Sequence, residues 1–252
     1  MTDTYRIHGS GPTTVLCLHG WFGSSTGWGE DFLASLDTSA FRYVFMNQRG
    51  YGERRDETGD YTVTEIARDA VQLADELGAD RFCVVGHSMG GSAAQRVVSL
   101  VPDRVDKLVG ISPVPASGVP FDDEGWALFS GAAEHDDNRA AIIDLTTGNR
   151  LTQTWIDTMV RDSVERSRRE AFGAYLDSWA KDDFSAEVQG NAVPALAVVG
   201  EHDPALGAAT TEATWMQTYP NARLEVLANA GHYAMYETPV ALATVVDRFL
   251  AE

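Results

Sequence analysis

The chain has 252 residues, of which 44% are hydrophobic and 22% are charged, so it is long enough to bury a full core and has the composition of an ordinary globular protein. These proportions exclude a disordered chain, a collagen-like chain and a disulfide scaffold. With 19 basic and 37 acidic side chains the formal net charge is −18, and because such a surface repels phosphate backbones we expect no nucleic-acid partner.

Neither a secretion signal nor a membrane-spanning segment is visible in the sequence. The segment Met1–Arg6 lacks a basic stretch followed by an apolar one, and no apolar run approaches the ~18 residues that a membrane helix needs. Cys17 and Cys83 each lie in a short apolar run, which favours buried free thiols over a disulfide. We therefore expect a soluble, cytoplasmic protein with no membrane partner.

Short apolar runs bounded by glycine or turn residues alternate with helical patterns along most of the chain. Such runs are typical of strands that are buried on both faces, as in parallel sheets. Thr64 is the predicted N-cap of the first helix, and Gly78 ends it. The predicted elements in chain order are strands Thr13–Leu18 and Tyr43–Met46, helix Glu65–Leu77, strand Arg81–Val85, helix Ser88–Leu100, strands Val105–Ile111 and Ala195–Val199, helix Ala208–Tyr219, strand Leu224–Leu227 and helix Pro239–Leu250. This alternation predicts an α/β protein with a mostly parallel, doubly wound sheet.

One stretch, residues 118–191, contains helical patterns and no strand pattern. The helix-like segments in it are Glu124–Glu134, Asn138–Leu145, Thr152–Arg166 and Arg169–Ala180. Proline-rich junctions bound the stretch at Pro113–Pro120 and Asn191–Pro194, as is typical of an insertion. We therefore divide the chain into a core of residues 1–117 and 192–252 and an inserted helical cap, or lid, of residues 118–191.

The strongest chemical signal is Gly86-His87-Ser88-Met89-Gly90, which fits the pattern G-x-S-x-G. It directly follows a predicted strand and opens a predicted helix. A strand-to-helix turn this sharp needs small residues beside the serine and leaves its hydroxyl exposed above the sheet edge. Ser88 is therefore the candidate nucleophile; the competing interpretation is an ordinary junction in which the serine caps the helix.

A serine hydroxyl needs an adjacent base, and the base needs a carboxylate that orients it. Of the six histidines, His232 lies on a loop between the last strand and the last helix, at the sheet edge where catalytic groups collect in α/β folds. Asp203 and Glu201 both follow a buried strand; Asp203, held before a proline, is the preferred acid and Glu201 the alternate. The order Ser88, Asp203, His232 is that of nucleophile-elbow hydrolases.

The oxyanion that forms when a serine attacks a carbonyl needs two preorganised backbone N–H donors. The residue after the nucleophile, Met89, is expected to supply one. The loop His19-Gly20-Trp21 after the first strong strand is expected to supply the other, from the Trp21 N–H. We interpret His19 as a structural residue that braces this loop. No metal or cofactor is needed.

Together these segments resemble the α/β-hydrolase superfamily over nearly the whole chain. The matching motifs are His19-Gly20-Trp21, Asn47-Gln48-Arg49-Gly50-Tyr51-Gly52, Gly86-His87-Ser88-Met89-Gly90-Gly91, Gly200-Glu201-His202-Asp203 and Gly231-His232. Asn47 stands where members of the family often carry Asp, with no expected effect on catalysis. The resemblance implies a Ser-His-Asp triad and a helical cap after the sixth strand. The chain departs from the family pattern before Thr13, where Thr4–His8 is the only strand candidate, so we expect that the first of the usual eight strands is missing.

This resemblance leads us to expect a carboxylic ester hydrolase, an esterase or lactonase, that acts on a small to medium apolar substrate through an acyl-enzyme. A serine at position 88 excludes the epoxide hydrolases and haloalkane dehalogenases, which use an aspartate nucleophile. Most cap aromatics and Met159 are expected to pack internally, while some wall the pocket beside Trp21 and Met89. The cap residues in question are Trp126, Phe129, Trp155, Met159, Phe172, Tyr175 and Trp179.

Other activities on the same scaffold stay open at this point. They are an acyl-homoserine lactonase, a carbon–carbon bond hydrolase and, disfavoured by the absence of a proline near Trp21, a cofactor-free perhydrolase. A small-molecule receptor of the same fold is the alternative from another class. No apolar helix stripe exceeds what the core needs, so the sequence predicts no oligomeric state.

Overall fold

The computed structural model describes residues 4–252, so the first three residues of the segment Met1–Arg6 lie outside the described part. Seven strands form one sheet with the order β1-β3-β2-β4-β5-β6-β7. Their bounds are Tyr5–His8 (β1), Thr13–Leu18 (β2), Phe41–Met46 (β3), Phe82–His87 (β4), Val105–Ile111 (β5), Ala195–Gly200 (β6) and Ala222–Leu227 (β7). This sheet confirms the predicted α/β architecture.

Helices cover the sheet and fill the segment between β5 and β6. Those of the core are Glu30–Ala34 (α1), Val63–Glu76 (α2), Met89–Leu100 (α3), Ala208–Ala213 (α9), Trp215–Thr218 (α10), Ala234–Glu237 (α11) and Pro239–Ala251 (α12). Those between β5 and β6 are Asp123–Gly131 (α4), Asp136–Thr146 (α5), Gln153–Arg166 (α6), Arg169–Lys181 (α7) and Ser185–Val188 (α8).

Strand β1 pairs antiparallel with β3, whereas every other pair in the sheet is parallel. The central strand β4 is buried along its whole length, as the unbroken apolar run predicted. Within residues 4–252 the sheet has seven strands rather than eight, in agreement with the missing first strand. Parallel strands place all their carboxyl ends at one edge, so the loops after β2, β4, β6 and β7 meet there.

Several helix boundaries differ from the prediction by a few residues, and two of the differences have a clear local cause. Helix α2 is capped by Thr62, whose side chain accepts the N–H of Glu65, and not by Thr64. Thr62 and Glu65 have the spacing of a capping box, a signal that favours Thr62. The helix predicted over Ala208–Tyr219 is broken into α9 and α10 at Thr214, whose hydroxyl donates to the Thr210 carbonyl at 2.7 Å. Such local bonds and the β-branched side chain weaken the helix there.

The hydrophobic core lies in two layers, one on each face of the sheet. Both cysteines are free and buried on the neighbouring strands β2 and β4, where Cys83 lies opposite Val15. Among residues 4–252, none of the helices combines the length and the apolar character that crossing a bilayer requires.

The helices between β5 and β6 are joined to the core by backbone contacts. The Arg168 N–H donates to the Gly50 carbonyl at 2.7 Å, and Tyr51 forms an isolated antiparallel bridge with Ser167. These contacts fix the junction between α6 and α7 against the loop after β3. The same junction borders a second cavity, which is described below.

Candidate active site

Ser88 lies in the sharp turn between β4 and α3 and has φ 54° and ψ −118°. A positive φ is uncommon for a residue other than glycine and indicates stored backbone strain. The turn also brings backbone segments very close together. A Cβ at Gly86 would lie 2.0 Å from the Gly90 carbonyl oxygen, and one at Gly90 would lie 2.1 Å from that of Leu18. Only glycine therefore fits at either position.

The Ser88 hydroxyl is not used to cap helix α3, although Ser88 occupies the N-cap position. Its backbone is fixed instead, because its N–H donates to the Ile111 carbonyl at 3.0 Å and its carbonyl accepts the N–H groups of Gly91 and Val114. Among the described residues the hydroxyl forms no hydrogen bond, while Ser88 lines the same cavity as His232. The capping interpretation of this serine is therefore excluded.

His232 and Asp203 form a buried hydrogen-bonded pair. His232 Nδ1 lies 2.7 Å from Asp203 Oδ2, while Oδ1 accepts the N–H groups of Ala205 and Leu206 at 3.0 Å each. Burial by itself would raise the pKa of Asp203, but the neighbouring His232 and these hydrogen bonds hold it below its ordinary value. Asp203 thus stays ionised beside the imidazole.

The alternate acid, Glu201, is not near the imidazole of His232 in this arrangement. It is exposed, its carboxylate accepts the N–H of Asn229 at 3.1 Å, and it lies 3.7 Å from His202. The structure therefore brings Asp203, rather than Glu201, to His232.

The loop of His232 is held by groups that the sequence did not indicate. The His232 N–H donates to the Thr146 carbonyl at 3.1 Å, and the His232 carbonyl lies 2.9 Å from Nε2 of His87. The Glu237 carboxylate accepts the N–H groups of Gly231 and Tyr233 at 2.8 and 3.1 Å. Each of these bonds restricts the position of the imidazole relative to Ser88.

The Trp21 and Met89 N–H groups are available as donors, since neither has a protein acceptor among residues 4–252. Met89 is the first residue of α3, where N–H groups have no partner within the helix. The peptide that carries the Trp21 N–H is fixed through its Gly20 carbonyl, which lies 2.8 Å from His19 Nδ1 and accepts the Gly23 N–H at 3.0 Å. The Tyr51 hydroxyl donates to the Trp21 carbonyl at 2.9 Å.

Two buried histidines beside the site are neutral at ordinary pH. Burial lowers the pKa of His19 to about 4. For His87, burial and then the nearby His232 lower the pKa to about 3. A neutral imidazole can donate from one nitrogen only, which suits His19 Nδ1 as donor to Gly20 and His87 Nε2 as donor to His232. His87 does not line the cavity of Ser88.

We expect the free energy of unfolding to fall as the pH is lowered from about 6.5 towards 4. In that window the unfolded chain protonates His19 and His87, whereas the folded chain keeps both neutral, so acid favours the unfolded state. The free energy of unfolding should change with pH by up to about 1.4 kcal/mol per pH unit for each histidine. Urea denaturation at several pH values measures it. A His87→Gln variant should lose about half of the slope, and equal stability at pH 7 and 5 would contradict the assignment.

The cavity beside Ser88 has a volume of about 490 Å³ and an almost wholly apolar wall. No Asp, Glu, Lys or Arg side chain lines it. The lining residues are Trp21, Phe22, Ser88, Val114, Val119, Phe121, Phe129, Ile142, Thr146, Trp179, Ala205, Leu206, His232 and Tyr233. A cavity of this kind suits an uncharged, largely apolar ligand.

Of the seven cap side chains considered from the sequence, Phe129 and Trp179 line this cavity and the other five do not. Phe172, for example, is buried and stacks on Trp21 with ring centroids 4.0 Å apart. Trp21 lines the cavity as expected, whereas Met89 does not. Phe121 and Tyr233 belong to the wall although the sequence did not single them out. Among residues 4–252, no group of three or more His, Cys, Asp or Glu side chains could hold a metal ion.

Comparison with known proteins extends the resemblance. A family model described as "alpha/beta hydrolase fold" matches residues 13–239. Esterase YbfF of Escherichia coli strain K12 is 27% identical over 246 residues, which cover 96% of this chain and 94% of that protein. A 2-hydroxy-6-oxononadienedioate/2-hydroxy-6-oxononatrienedioate hydrolase of Paraburkholderia phymatum is 28% identical over 92% of this chain and 85% of its own. The esterase of Exiguobacterium antarcticum has the same fold, with a TM-score of 0.85, 19% identity and coverage of 98% of this chain and 95% of that chain.

Proposed function

The chain belongs to the α/β-hydrolase family, and from that premise we propose that it is a serine hydrolase of uncharged carboxylic esters and lactones. The observation that carries the proposal is the placement of Ser88 and His232 on one apolar cavity, with Asp203 bonded to the far nitrogen of His232. This is the constellation of nucleophile, base and orienting acid that acyl transfer requires. No metal or cofactor enters the proposed reaction.

In the proposed mechanism, Ser88 Oγ attacks the carbonyl carbon of the substrate while His232 Nε2 takes the hydroxyl proton. The tetrahedral intermediate collapses, the bond from the carbonyl carbon to the alcohol oxygen breaks, and His232 returns the proton to the leaving alcohol. Water then attacks the acyl-enzyme with His232 again as the base, which releases the carboxylic acid and restores Ser88. Asp203 keeps the imidazole oriented and stabilises its charged form.

The negative charge of each tetrahedral intermediate falls on the former carbonyl oxygen. We propose that the N–H groups of Trp21 and Met89 bind this oxyanion. Their support is that both lack a protein acceptor within the described residues and that His19 and Gly23 fix the Gly20–Trp21 peptide. Because these donors are already oriented, little reorganisation is needed when the charge develops.

We also propose that residues 118–191 act as a cap that sets the shape of the substrate cavity. Six residues of this range line the cavity, whereas the proposed catalytic side chains all belong to the remainder of the chain. These six residues are Val119, Phe121, Phe129, Ile142, Thr146 and Trp179. Substitutions there are expected to change the substrate preference and leave the chemical step intact.

The absence of charged side chains from the cavity wall favours ester and lactone cleavage over carbon–carbon bond cleavage. The Paraburkholderia relative is named for a dioate, a substrate with two carboxylates. In a wall without Lys or Arg, a buried carboxylate would lose its water and gain no cationic partner, which is costly. Uncharged esters and lactones carry no such penalty, so we favour them over the dianionic ketones.

A matched pair of substrates tests the proposal. We expect kcat/KM for p-nitrophenyl pentanoate to exceed that for the mono-p-nitrophenyl ester of glutaric acid by about 100-fold or more, equivalent to about 2.7 kcal/mol. The acyl chains have the same number of carbons and differ in a terminal carboxylate. Equal values, or faster cleavage of the charged ester, would contradict the assignment. The number of product molecules released per active site distinguishes the enzyme from a receptor. We expect many product molecules per site, whereas a receptor would release about one.

A further inference from the structure

A second cavity, of about 380 Å³, lies between the helices α5, α6 and α7 and the loop that follows β3. We call it the arginine cavity. Its lining residues are Arg55, Ala133, Asp136, Arg139, Val164, Ser167 and Arg169. No residue of its wall belongs to the wall of the catalytic cavity. Three guanidinium groups thus meet one carboxylate on a chain whose formal net charge is −18.

Arg139 is the buried member of this cluster, with 3% of its surface exposed. Its Nε donates to the Ala132 carbonyl at 2.9 Å, and its Nη1 donates to the hydroxyls of Ser163 and Ser167 at 2.7 and 3.3 Å. The guanidinium also lies over the Phe172 ring, 3.7 Å from the ring centroid. All of these partners are uncharged.

Within residues 4–252 no carboxylate oxygen accepts a hydrogen bond from Arg139, and its Nη2 donates no hydrogen bond to the protein. A buried cation without a counter-charge is costly. Burial lowers the pKa of Arg139, and the negative charge of Asp136 nearby offsets this effect only in part. The arginine cavity lies beside this unpaired charge and offers space in which an anion would relieve the cost.

The outer part of the arginine cavity is also cationic. Arg55 is exposed and has no ion-pair partner in the described part of the chain, while Arg169 forms an exposed ion pair with Glu134 at 2.8 Å. Such an exposed pair is weak and exchanges readily with other anions. Asp136 opposes this charge from the start of α5, so the residues of the wall have a formal surplus of two positive charges, and the exposed Glu134 pairs with one of them.

We propose that the arginine cavity binds a small oxyanion, a phosphate or carboxylate group, between Arg139 on the inside and Arg55 and Arg169 at its mouth. Guanidinium groups suit this class of ligand because their planar N–H pairs match two oxygens of one anion. The site does not depend on the proposed hydrolase activity, since none of its residues takes part in that chemistry.

Direct binding measurements test the site. Inorganic phosphate and malonate are each titrated calorimetrically into the full chain, with sodium chloride adjusted to keep the ionic strength constant. We expect saturable binding of at least one anion, and the two titrations distinguish a phosphate site from a carboxylate site. If neither anion bound saturably, the proposal would be wrong.

Charge variants at the exposed positions locate the binding without disturbing the buried Arg139. The double variant Arg55→Gln and Arg169→Gln should weaken binding by about tenfold or more, whereas Asp136→Asn should tighten it about threefold. Arg161→Gln is the matched control, since Arg161 is an exposed arginine of α6 outside this cavity. Unchanged affinity in the double variant would place the anion elsewhere and overturn the proposal.

Discussion

Replacement of Ser88 by alanine is expected to lower kcat for p-nitrophenyl esters by about 10⁴-fold or more. The hydroxyl is the only nucleophile in the proposed mechanism, and among residues 4–252 no other serine lines the cavity beside Ser88. The remaining His232, Asp203 and N–H donors would support at most weak attack by water. The fold should survive, because the Ser88 hydroxyl caps no helix and forms no hydrogen bond among residues 4–252.

Ser92→Ala is the matched control for this variant. Ser92 is also a buried serine of α3, but it does not line the cavity. Steady-state rates and mass spectrometry after treatment with a fluorophosphonate should be compared. Wild type and the Ser92 variant should gain one adduct on the peptide that contains residue 88, and the Ser88 variant should gain none. An unchanged ester rate in the Ser88 variant would refute the mechanism.

The sheet could be predicted from the sequence because its central strands are buried on both faces. Strands β2, β4 and β6 read as unbroken apolar runs, and a glycine closes or follows each of them. The edge strand β1 is less clear, since Arg6 and Ile7 are both exposed and the apolar alternation is lost. The short helices α1 and α11 were missed for a related reason, because one helical turn contains too few residues to show a period.

The catalytic candidates could be read from the sequence because each follows a recognisable buried strand. In a parallel sheet the loops after β4, β6 and β7 must meet at one edge, so Ser88, Asp203 and His232 converge without any knowledge of side-chain packing. The sequence favoured Asp203 over Glu201 as the acid but could not decide between them, because the direction of each side chain depends on the geometry of the loop. In the structure only the Asp203 carboxylate turns inward, where the N–H groups of Ala205 and Leu206 hold it.

The wall of the cavity and the supports of the site could not be predicted in the same way. A helical period shows which residues share a face of the helix. It does not show whether that apolar face packs against the hydrophobic core or lines the cavity. Phe129 faces the cavity, whereas Phe172 is buried between Trp21 and the guanidinium of Arg139. Likewise the contact of His87 with the His232 carbonyl joins residues that are 145 positions apart.

Replacement of Asp203 by asparagine is expected to lower kcat by about 10⁴-fold while KM changes little. Asparagine keeps the shape of the side chain but loses the charge that stabilises the His232 imidazolium. It can also present an N–H group to Nδ1, which would move the imidazole proton to Nε2 and block proton transfer from Ser88. The loss should therefore lie in the chemical step and persist at saturating substrate.

Glu201→Gln provides the comparison, since it makes the same chemical change two residues away on the same loop. Glu201 is exposed and its carboxylate accepts the Asn229 N–H. The rate of ester hydrolysis by the Glu201→Gln variant should therefore stay within about twofold of the wild-type rate. The pH profile adds a second readout. Because the pKa of Asp203 lies below its ordinary value, Asp203 remains ionised on the acid side of the profile, and loss of activity there must come from another group. If instead Glu201→Gln lost activity and Asp203→Asn kept it, the roles of the two carboxylates would have to be exchanged.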